Sequence, residues 1–156
     1  MSTKKSKKEI KNLSIHVDGG ARGNPGPAAV GVYIEDGSGN LLKEYNKYLG
    51  EETNNVAEYQ AAILALKKTK QLFGKKKCKK IQVKLFSDSE LLVKHLTHEY
   101  KIKNGPLQEL FLKLWNLMLD FKEVNIIGVP REENKEADRL VNEALDQEER
   151  EATLFS

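Results

Sequence analysis

The stretch from Leu13 to Val32 carries the clearest structural pattern in this chain. Apolar and polar residues alternate at its start, which is the pattern of a β-strand with one buried face. The strand predicted over Leu13–Val17 leads directly to Asp18 and then to a turn rich in glycine and proline. A second strand is predicted over about residues 29–35. A carboxylate at a strand end beside an open turn is a common place for chemistry in α/β proteins.

The rest of the chain adds strands and helices in a regular order. After the turn Asp36–Asn40, a third strand completes an antiparallel meander. The apolar spacing then predicts, in order, a helix at Asn55–Phe73, a strand at Ile81–Phe86, a helix to about Leu96, a helix from Pro106 to Phe121, a strand at Val124–Val129 and a helix from Asn134 to about Leu145. We expect one mixed α/β sheet whose last two strands lie parallel to the first, because right-handed helical crossovers connect them. Within the helices we expect Trp115 to be buried and His95 to lie at the surface.

Length and composition indicate a single domain. The chain has 156 residues, of which 39% are hydrophobic and 31% charged, and no apolar run reaches membrane-spanning length. We expect a basic disordered arm at residues 1–11, a domain at 12–147 and a frayed tail at 148–156. One cysteine excludes an internal disulfide and fits a reducing cytoplasm, and a monomer is the default. The clustered lysines suit either a polyanionic partner or a solvated surface.

Four carboxylates occupy equivalent places in this scheme. They follow strands or open helices, and they are Asp18, Glu58, Asp88 and Asp138. Any one of them alone is better explained as a helix cap or as a partner of a helix dipole. If the first, fourth and fifth strands are parallel, however, all four acids meet at one edge of the sheet. The arrangement therefore predicts a shared site.

Four carboxylates at close quarters repel one another and raise each other's pKa values. Divalent cations remove this conflict, and oxygen ligands favour Mg²⁺ or Mn²⁺. Two such ions about 4 Å apart activate water and stabilise the leaving oxygen in phosphoryl transfer. The four acids therefore predict a two-metal site.

Four segments resemble the type 1 ribonucleases H, and the match extends over about Leu13–Leu145. They are DGGARGNPGPAAVG, TNNVAEYQAAILAL, SDSELLVKHL and NKEADRLVNEAL. The resemblance implies a ribonuclease H-like mixed sheet with strand order 3-2-1-4-5 and helices on both faces. It also implies an endonuclease that uses two Mg²⁺ ions, or Mn²⁺, to hydrolyse the RNA strand of RNA–DNA hybrids. The products would carry 3′-hydroxyl and 5′-phosphate ends.

The resemblance assigns roles to individual residues. Asp18 would bridge both ions, Glu58 and Asp88 would bind one of them, and Asp138 would bind the ion that activates water. Further residues match substrate-contacting positions of the family, and they are Asn24, Thr53, Asn54, Asn55 and Glu90. Thr53 matches a contact to a DNA phosphate. Without the resemblance, these residues would be explained as turn and capping residues.

Three departures from the family pattern affect these expectations. Residues 128–137 lack the loop histidine of many members, and Arg131 lies there instead. Because a guanidinium cannot act as a base at neutral pH, we expect Arg131 to attract phosphate or to assist product departure. The short loop His98–Pro106 replaces a basic helical segment, so hybrid binding should be weaker or should depend on other lysines. Glu35 stands where some members place a basic residue near the DNA phosphate.

Two other functions compete with this interpretation. One is a DNA-cutting nuclease of the same fold, such as a junction resolvase or an integrase-like core. The other is a binding module for hybrids that has no catalytic activity. The sequence of the two substrate-facing turns disfavours the first, and the presence of all four acids disfavours the second.

Overall fold

The computed structural model describes residues 9–155. The strands are β1 Asn12–Ala21, β2 Gly26–Asp36, β3 Leu41–Glu52, β4 Gln82–Ser87 and β5 Glu123–Gly128. The helices are α1 Asn54–Phe73, α2 Lys75–Cys78, α3 Glu90–Leu96, α4 Gly105–Met118 and α5 Lys135–Leu154, with a 3₁₀ turn at Arg131–Glu133. In the described part of the chain, no helix is both long and apolar enough to cross a membrane.

The strands form one mixed sheet in the order β3-β2-β1-β4-β5, which confirms the predicted fold class. β1 is antiparallel to β2 and parallel to β4, and β4 is parallel to β5. The pairing of β1 with β4 ends at His16 and Phe86, although β1 continues to Ala21. The last part of β1 is therefore paired only with β2, which leaves space beside it at this edge of the sheet.

The core lies on both faces of the sheet. Most buried apolar side chains form one cluster that includes Val30 of β2 and Leu66 of α1. The adjacent Ala29 belongs to a second cluster with Val141 and Leu145 of α5. Because neighbouring residues of a strand point to opposite faces, α1 and α5 cover opposite sides of the sheet.

Two side chains differ from expectation. His95 is buried, not at the surface, because its Nδ1 lies 2.7 Å from the Tyr59 hydroxyl, which gives its ring a polar partner inside the protein. Trp115 is 48% exposed, not in the core. Its helix, α4, packs on α1 along one side only, so the apolar stripe of α4 is wider than the surface that covers it.

The lysine-rich link before β4 contains the short helix α2, which the apolar pattern does not predict. Its last residue, Cys78, is fully buried, and its thiol lies 3.9 Å from the Thr69 carbonyl oxygen. Burial raises the pKa of the Cys78 thiol. The sulfur is thus part of the core beneath the end of α1.

Both ends of the domain differ from the predicted boundaries. The predicted arm falls largely outside the described residues, but Ile10 already packs against the core and Lys11 accepts a hydrogen bond from Gln82. At the other end, the residues expected to fray after Gln147 continue α5 to Leu154. Side-chain bonds along the helix, such as that from Gln147 to Glu151, support this extension.

Candidate active site

The four predicted acids come from one strand, two helices and the link after β4, and they meet at one edge of the sheet. Carboxylate oxygens of Asp18, Glu58 and Asp88 lie within 4.8 Å of one another. Asp138 lines the same pocket, which has a volume of about 360 Å³. The convergence expected from strand order is therefore present. Oxygen-only ligands of this kind suit hard divalent cations.

Two of the acids lie in slightly different places from those predicted. Asp18 is inside β1 rather than after it, because β1 continues past the acid to pair with β2. Glu58 is in the second turn of α1, since that helix begins at Asn54. Asp138 is in the first turn of α5, as predicted.

Glu58 reaches the pocket because α1 passes very close to β1. A Cβ atom on Gly19 would lie 2.2 Å from the Ala57 carbonyl oxygen, so only glycine permits this approach. The Gly19 amide donates a 2.7 Å hydrogen bond to the Glu58 carboxylate. This bond fixes the carboxylate beside Asp18.

Asp138 depends on a similar close contact on the other face. A Cβ atom on Gly31 would lie 2.4 Å from the Ala137 carbonyl oxygen, at the start of α5. Gly31 is paired with Asp18 across β1 and β2. The glycine thus lets the first turn of α5 lie against the strand pair that carries the first acid.

The electrostatics of the pocket are those of confined negative charge. Burial, and then repulsion from Asp88 and Asp138, raises the pKa of Asp18 to about 8. Burial, and then the nearby Asp18, raises the pKa of Glu58 well above its usual range. Burial also raises the pKa of Asp88, while the positive charge of Arg131 lowers it. The carboxylates therefore lack a full complement of positive charge from the protein itself.

Asn134 is a site residue that the sequence does not reveal. It was expected to cap α5, but its side chain makes no capping bond there. Its amide donates a 2.8 Å hydrogen bond to the Val17 carbonyl oxygen, and a bond from the same side chain lowers the pKa of Asp88. Asparagine before a helix is so commonly a cap that a single sequence gives no signal of this role.

Two of the predicted substrate residues hold the β1–β2 turn against α1. The Asn54 side chain accepts a 2.8 Å bond from the Ala21 amide, and Asn24 accepts a 2.9 Å bond from the Asn54 amide. Asn54 lines the acidic pocket. Thr53 caps α1 by accepting a bond from the Val56 amide.

The other two predicted substrate residues are exposed near the start of helices. Asn55 lies in the first turn of α1, and Glu90 is the first residue of α3. Glu90 accepts a 3.1 Å hydrogen bond from the hydroxyl of Tyr100 in the short loop before α4. Neither residue lines the acidic pocket, so a contact of either with substrate stays a prediction.

Two of the departures from the family pattern, Arg131 and Glu35, can be located in the structure. Arg131 lines the acidic pocket from the 3₁₀ turn after β5. Glu35 lies on β2 and forms a 2.9 Å bond with His16, whose ring stacks on Phe86. The Glu35 carboxylate is therefore already paired within the sheet.

Comparison with known proteins gives consistent matches over most of the chain. The sequence profile of the Reverse transcriptase-like family matches residues 16–144. Ribonuclease HI of Halobacterium salinarum is 39% identical over 134 residues, which cover 86% of this chain and 64% of that protein. The Bifunctional protein Rv2228c of Mycobacterium tuberculosis is 37% identical over 134 residues, which cover 85% of this chain. The matched segment is only 35% of the length of that mycobacterial protein, so this chain corresponds to about a third of it.

Similarity extends to the folded structure. LC11-RNase H1, solved in complex with RNA/DNA hybrid, has a TM-score of 0.82 and 45% identity, with 86% of this chain and 97% of that chain covered. The strand order and the acidic pocket are those expected for a ribonuclease H. The profile match and the two relatives support the same family. We conclude that this chain belongs to the type 1 ribonuclease H family.

Proposed function

We propose that this protein hydrolyses the RNA strand of RNA–DNA hybrids at internal positions, leaving 3′-hydroxyl and 5′-phosphate ends. The observation that carries the proposal is the meeting of Asp18, Glu58 and Asp88 within 4.8 Å, in an open pocket of a ribonuclease H fold. The relative LC11-RNase H1, which this chain matches over nearly its whole length, was solved with such a hybrid.

We infer that the four acids hold two divalent cations, Mg²⁺ or Mn²⁺. The pocket fits such ions because its donors are all carboxylate oxygens and because its negative charge is desolvated and uncompensated. When bound, the ions supply the positive charge that activates water and stabilises the leaving oxygen. Asp18, which repels both Asp88 and Asp138, would be a ligand of both ions.

The other residues of the site orient the substrate and the acids. The Gly19 amide and the Asn134 side chain hold Glu58 and Asp88 in place before substrate arrives. Asn24 and Asn54 fix the turn beside the pocket, and with Asn55 and Glu90 they would contact the hybrid in its minor groove. Thr53 would contact a phosphate of the DNA strand. Recognition of 2′-hydroxyl groups there would separate RNA from DNA, which lacks them.

The proposed setting is the cytoplasm, with the protein acting as a monomer. The single cysteine is buried and makes no disulfide, which fits a reducing compartment. A sedimentation measurement across the working concentration range would test the monomer directly.

Cleavage assays on three end-labelled substrates test the function. We expect cutting of RNA–DNA hybrid, but not of duplex DNA or duplex RNA, with Mg²⁺ or Mn²⁺ and none in EDTA. Asp18→Asn should lower the rate about 100-fold or more, because a negatively charged oxygen ligand for the cations is lost. Glu143→Gln, an exposed acid paired with Arg139 on α5, is the matched control and should retain full activity.

Each contrary outcome identifies a different error. Equal cutting of duplex DNA would favour the DNA-cutting nuclease of the same fold. Binding of hybrid without cleavage in either metal would favour the non-catalytic binding module. Full activity of Asp18→Asn would show that the assigned pocket is not the site of hydrolysis.

Arg131 is proposed to attract the phosphate or to speed product departure. It lines the same pocket as Asp88, and its positive charge lowers the pKa of that acid, so a phosphate bound in the pocket would face it. We expect Arg131→Ala to lower the steady-state rate about tenfold or more, because the variant loses the positive charge that would face the phosphate. Arg150→Ala, at an exposed position of α5, serves as control. Unchanged single-turnover and steady-state rates in Arg131→Ala would reject the role.

A further inference from the structure

Arg22 joins the turn after β1 to the second half of α5. Its guanidinium donates a 2.6 Å hydrogen bond to Glu149, a 2.8 Å bond to Asp146 and a 3.2 Å bond to the side-chain oxygen of Asn142. The rigid fork of an arginine holds two carboxylates at fixed angles with little loss of side-chain freedom. The turn and the helix are therefore connected through one side chain.

The turn at residues 22–26 is tightly wound and already fixed on its other side. Gly23 has a φ of +93°, and a Cβ atom on Gly26 would lie 2.2 Å from the Arg22 carbonyl oxygen. The Arg22 amide donates a 2.8 Å bond to the Pro27 carbonyl, and Asn24 binds the start of α1. Arg22 itself lines the acidic pocket. The turn thus lies between α1 and α5 at the edge of the site.

The two acidic partners of Arg22 lie beyond the part of α5 that contributes to the core. Leu145 is the last buried residue of that helix, and Asp146 and Glu149 follow it. The profile match of the family ends at residue 144, so these two acids are outside it. The helix is acidic there, with Glu148 and Glu151 nearby, and acids near a helix carboxyl end are unfavourable. The positive charge of Arg22 offsets this repulsion.

We propose that the carboxyl-terminal part of α5 supports the substrate turn, with Arg22 as the positioning residue that transmits this support. The inference rests on the proposed function, because it assigns the turn to hybrid binding. A turn that is fixed before binding does not lose conformational freedom when the hybrid arrives. The support should therefore lower KM and leave kcat nearly unchanged.

Steady-state kinetics on the hybrid test the proposal. Arg22→Ala should raise KM about three- to fivefold, the range expected from exposed ion pairs, with kcat within about twofold of the wild type. Arg22→Lys keeps the positive charge but loses the two-pronged guanidinium, so its KM should lie between those of the wild type and Arg22→Ala. Arg139→Ala is the matched control, because Arg139 also binds several acids on α5 but joins that helix to Glu44 of β3. Its KM should equal that of the wild type even if its Tm falls.

The double variant Asp146→Asn, Glu149→Gln separates support from direct contact with substrate. These side chains lie on the helix and act on the turn through Arg22, so the double variant should raise KM nearly as much as Arg22→Ala does, which also loses the bond to Asn142. Combining all three substitutions should add nothing further. If Arg22 instead bound a phosphate directly, Arg22→Ala alone would raise KM and the double variant would not. That result, or wild-type KM in Arg22→Ala, would overturn the proposal.

Hydrogen exchange in the substrate-free protein gives a readout independent of activity. The amides of residues 22, 23, 24 and 26 should exchange faster in Arg22→Ala and in the double variant than in Arg139→Ala. If the wild-type protein fails to cut hybrids, the proposed function is wrong, and exchange still tests whether α5 supports the turn. If the wild type cuts hybrids and hydrogen exchange at the turn is unchanged in both variants, the proposed function stands and only the proposed support of the turn by α5 is wrong.

Discussion

Asp18 combines burial with negative charge, and these two properties oppose each other. Its carboxyl is 7% exposed and faces Asp88 and Asp138, so its pKa of about 8 lies far above the ordinary value of 3.8. In metal-free protein, the folded state therefore holds a proton that the unfolded chain has released. The same repulsion that favours cation binding makes the metal-free site a source of instability.

Metal-free protein should lose stability as pH rises from about 4 to about 8. Over this range the folded state binds more protons than the unfolded state, so the free energy of unfolding falls, by up to about 1.4 kcal/mol per pH unit. Asp18→Asn removes one of the groups whose pKa is raised and should make this dependence shallower, with the part due to Glu58 and Asp88 left in place. Urea unfolding in EDTA at pH 5 and pH 8 measures the effect, with Glu143→Gln as control. An equal pH dependence of the free energy of unfolding in Asp18→Asn and the wild type would show that Asp18 does not hold this proton.

At the level of elements, two glycines allow helices to approach the sheet closely enough to deliver acids. Gly19 admits α1 with Glu58, and Gly31 admits α5 with Asp138. The two helices lie on opposite faces, so the pocket forms where both helices and β1 meet. The position of each acid thus depends on backbone contact as well as on strand order.

Gly31→Ala tests this dependence. The added methyl group would overlap the Ala137 backbone, so we expect a loss of about 2 kcal/mol of stability and reduced cleavage from displacement of Asp138. Gly105→Ala is the control, because no atom lies within 4 Å of the added Cβ and the residue is helical. It should be neutral or stabilising by up to about 1 kcal/mol. Similar losses of stability in the two variants would show that helix approach is not limiting.

Periodicity in the sequence predicts the elements and their order, and parallel crossovers predict that the four acids meet. Features that depend on a packing partner from another element cannot be predicted from periodicity. His95 is buried because Tyr59 supplies a hydrogen bond from another helix. Trp115 is 48% exposed because, among the described residues, α4 packs on α1 along one side only. Asn134 follows the usual pattern of a cap, yet it binds β1. Only the assembled structure distinguishes these cases.

At the scale of the whole molecule, charge is unevenly distributed. The formal net charge is +3, although the acidic pocket and the end of α5 are negative. Four of the first eight residues are lysines. We therefore predict that these lysines add phosphate contacts when a hybrid binds.

Removal of residues 1–8 tests this contact. The deletion stops before Ile10 and Lys11, which contact the folded domain, so stability should not change. The slope of log affinity against log salt should become shallower by about 1 to 3, because each lost phosphate contact removes about 0.7 to 0.9. Substitution of exposed Lys43 and Lys47 on β3 by glutamine is a control for net charge. An unchanged slope after the deletion would exclude these lysines from binding.

The buried position of Cys78 bears on how the protein can be labelled. It is the only cysteine in the chain, it has no exposed surface, and its thiol resists ionisation because burial raises its pKa. Maleimide dyes should therefore leave the native protein unmodified. A cysteine introduced at an exposed site such as Lys101 would then carry a single fluorophore, with the native sulfur left in place.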